Sequence, residues 1–262
     1  MGEFLVLPAL LAYGEAAVAY FRDARSPGLA GRLATWGVRI GWLVQTALLA
    51  FQATRDDGFA WGSWAGSLNL FVWLVVGAYL IWGCRRSYRL LGLAVMPLAA
   101  ALLVAAWAGG GTGTGGVRRY STVFLVAHVG LVLVAFAGFT LAAALSALYL
   151  WQERRPKRRA ATILRLPAPP LAALDRLAER TILVALPALT LGIVVGAVRL
   201  ASTSAGVDAL VVATIVTWAV YGAYVVLRRG AGWQGRRAAY VALAGFALVI
   251  VVRLALPVTH FG

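Results

Sequence analysis

Only two histidines occur in the 262-residue chain, His128 and His260, and they are its most specific chemical signal. His128 lies inside the apolar part of the stretch 121–159, which closes on a basic cluster; an ionisable side chain there is costly and marks a candidate functional site. Two neutral imidazoles on facing helices can each give one ring nitrogen to an axial position on an iron centre. The plainer readings are an interhelical hydrogen bond for His128 and a solvated tail residue for His260, two residues from the end of the chain. Asp208 opens another apolar run, where a carboxylate can also simply cap free backbone N–H groups. Trp61 and Trp64, in DDGFAWGSWAGS, are either stacking surfaces or interfacial belt residues. The single Cys84 excludes an intramolecular disulfide and any CxxC redox or haem-attachment motif.

The elements that must position these residues are membrane-spanning. The chain is 62% hydrophobic and 13% charged with a mean hydropathy of +0.84. Ordinary soluble domains are roughly half apolar, so a soluble globular class is excluded. With about twenty residues per span, the hydropathy pattern predicts an all-α polytopic bundle. Eight spans are expected, near 3–21, 33–53, 67–84, 90–108, 121–151, 181–202, 207–227 and 238–258. The first, acidic and without a basic leader, reads as a retained span and not a cleaved signal peptide. We expect one integral membrane domain over residues 1–262.

Charge sets the orientation. Of the 24 Lys and Arg, 18 fall in the loops after spans one, three, five and seven, and three in the other loops. That asymmetry predicts both termini on the outer, non-cytoplasmic side of the cell (inner, cytoplasmic) membrane. His128 then lies ~12 Å below the outer boundary, in the same leaflet as Asp208 and His260. The formal net charge of +15 is explained by this topology, and no nucleic-acid-binding module is visible. Residues 152–180 form a basic cytoplasmic loop. Leu171, Leu174 and Leu177 recur there at helical spacing, which predicts a short amphipathic helix on the surface, with anionic lipid as a partner.

Other motifs read structurally. Gly192 and Gly196 form a GxxxG that permits close helix approach. The glycine-rich stretch 109–116 lacks a following GK[ST] and reads as a flexible loop. Glu15, Arg39 and Arg253 read as paired structural charges. No grouping of nucleophile, base and oxyanion donors is visible, so a covalent enzymatic step is not expected.

Several segments resemble the cytochrome c assembly membrane proteins, the haem-handling family that includes CcsA, CcmC and the HemX-like proteins. GWLVQTALL in span two is similar to a GWLxQT pattern of the HemX-like branch. HVGLVLVAFAGF, starting at His128, resembles an H-x-x-L-x-x-x-A-Y/F helix. The most specific likeness is LAALDRLAERTILVALPALTLGIVVGA to LDxLxxRxI…LTLGIxxGA. TWAVYGAYVVLRRGAGWQGRRAAYVALAGFA and the terminal THFG complete the resemblance, which runs from about Gly41 to the C-terminus.

The resemblance implies non-covalent, b-type haem binding at the outer leaflet in support of c-type cytochrome maturation. His128 and His260 match the family's axial histidines, and Asp208 matches the aspartate of its tryptophan-rich loop. In this chain that loop reads LASTSAGVD, with Arg199 where a tryptophan is expected. A family glutamate between spans two and three is Gly66. With no third or fourth histidine, a second bis-histidine haem site is excluded. Trp61 and Trp64 are the aromatics available to substitute for the missing platform. The expected partners are other cytochrome c maturation proteins. Alternatively, a HemX-like regulator or scaffold would act on haem biosynthesis enzymes, or within a larger membrane complex, without bound haem.

Overall fold

The computed structural model describes residues 2–26, 28–54, 63–82, 88–113, 122–154, 169–202 and 209–255. It is all-helical, with no strand among these residues. A short 3-10 helix, Gly2–Leu5, is followed by eight α-helices. They are α1 (Val6–Arg25), α2 (Leu29–Ala53), α3 (Trp64–Trp82), α4 (Arg89–Ala108), α5 (Thr122–Glu153), α6 (Leu171–Ser202), α7 (Ala209–Gly230) and α8 (Arg236–Ala255). Each expected span coincides with one of these helices. Five contain stretches long and apolar enough to cross a membrane: Trp64–Ile81, Arg89–Ala108, Val126–Glu153, Leu171–Ala201 and Ala209–Gly230.

The sequence reads as one domain, and the helices pack as two compact units. One comprises residues 1–119 with 154–169, the other 120–153 with 170–262. In the first, α1 packs on α2 and α4, and α3 packs on α4 and α2. Small residues allow the closest approach: a Cβ added at Gly37 would stand 3.2 Å from the Ala12 carbonyl oxygen. A ladder of buried amides runs through the interior. Tyr13 Oη donates to Gln45 Oε1 at 2.7 Å, and Gln45 Nε2 donates to Asn69 Oδ1 at 2.9 Å. Asn69 Nδ2 donates to Gln52 Oε1 and to the Gly111 carbonyl, each at 3.4 Å. Gln52 Nε2 in turn donates to the carbonyls of Gly111 and Gly113. The first part of the glycine-rich stretch, expected to be a flexible loop, is thus a pinned turn at the end of α4. Gly110 takes φ +78° there, which suits glycine, and Thr112 is buried.

The second unit is knit differently. Helices α5 and α6 run antiparallel against each other, α8 packs on α5 and α7, and α7 also meets α6. Its core is apolar and aromatic: Phe139 and Tyr221 stack at 3.7 Å with rings 3° from parallel, among Ala135, Ala142, Ile182, Leu189 and Ala242. A Cβ on Gly138 would lie 2.7 Å from that of Ala185, so glycine is what lets α5 touch α6.

Helix α6 begins ten residues before the expected span. Leu171 and the buried Leu174 and Leu177 form its first turns, continuous with the rest of the helix, where a separate surface helix was expected. The reason is Asp175. Arg228 on α7 donates to both its oxygens, at 3.0 and 2.7 Å, and also pairs with Glu179 at 3.0 Å. The N–H of Gly235 caps the same carboxylate at 3.0 Å. These bonds hold the start of α6 against the α7–α8 connection. The remainder of the basic stretch, 155–168, lies outside the described residues.

Candidate functional site

His128 sits near the N-terminus of α5 and faces α6. Its surroundings follow from helical periodicity, which brings residues three and four apart onto one face. From α5 come His128 and, one turn earlier, Phe124. From α6 come Gly192, Gly196 and Arg199, spaced four and then three residues apart.

The two glycines remove the side chains that would otherwise hold α5 away. A Cβ on Gly192 would lie 2.9 Å from Val132 Cγ2, and one on Gly196 would lie 2.7 Å from His128 Cε1. The imidazole therefore rests on the bare backbone of α6. There Nδ1 donates to the Gly192 carbonyl oxygen at 2.8 Å. A carbonyl oxygen only accepts, so this bond places the hydrogen on Nδ1, and in the neutral ring Nε2 carries the lone pair. Nε2 makes no hydrogen bond among the described residues. Phe124 lies nearly parallel to the imidazole, with ring centres 5.5 Å apart and planes 6° from parallel. Arg199 Cζ stands 6.0 Å from the Phe124 ring centre and places a positive charge at the edge of the group.

This arrangement fits one axial ligand of an iron porphyrin. A metal-ligating histidine characteristically donates its other ring N–H to a carboxylate, carbonyl or water, which fixes the tautomer and the ring orientation. His128 already makes that bond. Among the described residues no group of three or more His, Cys, Asp and Glu side chains converges, and a two-imidazole site needs none.

The other expected site residues are placed as follows. Trp64 opens α3 in the first unit, is 43% exposed, and lays its ring over the glycine turn, where a Cβ on Gly109 would approach Cζ2 to 2.5 Å. Trp61, Asp208 and His260 lie outside the described residues. Sequence reasoning treated Gly192 and Gly196 as packing alone, whereas the structure seats the histidine on them. It also passed over Phe124, whose signal was an aromatic ring one helical turn from His128. Asp175 and Arg228 went unpaired because they are 53 residues apart in the chain.

Comparison with known proteins adds a family. The family model described as "Cytochrome C assembly protein" matches residues 61–259, a range that includes Trp61, Trp64, His128 and Asp208 and ends one residue before His260. The cytochrome c biogenesis protein CcsA of Prochlorococcus marinus strain MIT 9312 is 42% identical over 85 residues, covering 31% of this chain and 27% of that protein. CcsA of Synechococcus sp. strain RCC307 is 30% identical over 164 residues, 53% of this chain and 52% of that protein. CcsA of Prochlorococcus marinus strain MIT 9303 is 27% identical over 272 residues, covering 90% and 85%. The chain thus spans at most about half the length of the first two relatives it matches. No solved structure matches it significantly.

Proposed function

Because the chain belongs to the cytochrome c assembly protein family, we propose that this multi-pass membrane protein binds and handles haem in support of c-type cytochrome maturation. The observation that carries the reading is the hydrogen bond from His128 Nδ1 to the Gly192 carbonyl, which leaves the Nε2 lone pair for iron. His128 and His260 are the proposed axial pair, with Asp208 as a further proposed cofactor-binding residue and Trp61 and Trp64 as proposed stacking surfaces. Bound there, the haem iron would bring redox activity and axial-ligand exchange. The protein's part is to fix the imidazole tautomer, hold the ring against α6 and limit the approach of water.

The finer topology belongs to the same proposal. It comprises eight spans in the cytoplasmic membrane, both termini and the histidine site on the outer side, and the basic segment 152–180 on the cytoplasmic side facing anionic lipid and assembly partners. The relatives found carry the CcsA name, so a place in the HemX-like branch rests on the sequence motifs alone.

The test is a spectral titration of the purified chain with haem. Wild type is expected to give the absorption of a low-spin, histidine-ligated iron, and His128→Ala to lose it. Unchanged low-spin absorption after His128→Ala and His260→Ala together would sink the proposal. Absence of haem uptake by the wild type would favour the regulator or scaffold reading.

A further inference from the structure

Arg199 stands on the face of α6 that carries the histidine. Gly192 receives the imidazole N–H, Gly196 lies under the ring, and Arg199 follows one turn later, about 4.5 Å further along the axis. Across from it, Phe124 stands one turn beyond His128 in the matching direction, because α5 and α6 run antiparallel. The guanidinium lies over that phenyl ring. Histidine, aromatic surface and cation thus follow one another along a single helix–helix seam, with the cation at its end.

A bland account exists for the arginine. A cation in the last turn of a helix complements the macrodipole, and an arginine at a span end extends its head toward the lipid surface. Neither effect requires it to share a face with Gly192 and Gly196 or to stack over the ring that flanks His128. Ligand chemistry accounts for both. A b-type haem is an apolar disc with two ionised carboxylates on one edge, and a histidine bond to iron alone leaves rotation about that bond undetermined. A planar guanidinium presents paired N–H donors that match a carboxylate.

We infer that Arg199 binds a carboxylate of the haem held by His128 and so fixes the orientation of the ring, in a position where the resemblance expected an aromatic side chain. This rests on the haem reading above and adds a recognition element for one edge of the ligand. Arg199 is an orienting and specificity residue, and it does not touch iron.

The experiment uses the full chain in phosphatidylcholine nanodiscs, where the lipid carries no net charge to compete. It compares titrations with haem and with haem dimethyl ester, whose carboxylates are masked. Comparing wild type with Arg199→Gln for each ligand cancels differences in membrane partitioning. Loss of one charge-assisted hydrogen bond is expected to weaken haem binding about tenfold and to leave the ester within about twofold. Arg199→Lys should keep part of the preference for the free acid. If Arg199→Gln weakens both ligands equally, or neither, the inference is overturned and Arg199 belongs to the helix end or a lipid phosphate, with the His128 site intact. If the wild type takes up neither ligand with a histidine-ligated spectrum, the haem reading falls and this inference with it.

Discussion

The interior of the first unit and the α5–α6 seam of the second both bury polar groups between apolar helices, and they satisfy them to different degrees. In the first unit Gln45, Gln52 and Asn69 each use both ends of the amide, donating from nitrogen and accepting at oxygen within one ladder from Tyr13 to Gly113. In the second, His128 uses one ring nitrogen and, among the described residues, keeps the other. A saturated network can only hold helices together, because any new partner must break an existing bond in a medium without water to compensate. A half-used imidazole, held in one tautomer, is available for chemistry at no such cost.

The largest expected effect tests what the two units share. Each ties a carboxylate to an arginine and to a glycine N–H: Asp23 with Arg89 and Gly28, and Asp175 with Arg228 and Gly235. Asp175→Ala combined with Glu179→Ala strands a largely buried guanidinium and should cost about 3–5 kcal/mol. The readout is a lower thermal midpoint in detergent, and a shift of only a degree or two would show that the clamp is ornamental. Next, Asn69→Leu removes the central rung of the ladder and should cost about 1–3 kcal/mol in stranded amides. Haem uptake by the folded fraction should not change. A lost haem spectrum in that variant would break the contrast between a structural interior and a chemical seam.

Gly196→Ala sharpens the contrast from the other side. The added methyl meets the imidazole ring, so stability should fall by only about 1 kcal/mol, while the low-spin spectrum is diminished. Wild-type absorption with full stability would mean that the ring does not need its glycine seat. The smallest expected change is Trp64→Ala, which should weaken haem binding about threefold, the size of a partial stacking contact. An unaltered titration would return this tryptophan to packing on Gly109.

Much of the fold was legible because its signals are local. Apolar runs of span length needed no knowledge of their neighbours to be read, and eight helices stand where eight runs were expected. The misreadings came where a distant group intervened. Leu171, Leu174 and Leu177 have the spacing of a surface helix. What makes them the start of α6 is a carboxylate two residues before Leu177, bound by an arginine 53 residues away. The glycine-rich stretch has the composition of a flexible loop, and side chains from α2 and α3 pin its first half.

The candidate site divides along the same line. Sequence alone singled out His128, by the cost of an imidazole in an apolar run, and noted that Gly192 and Gly196 would let helices approach closely. It also marked Arg199 as a departure from the family pattern. Only the tertiary structure decided that these residues line one seam, because α5 packs antiparallel on α6. The tautomer of His128 was likewise beyond the sequence. It depends on which carbonyl lies 2.8 Å from Nδ1, and that carbonyl is 64 residues away along the chain.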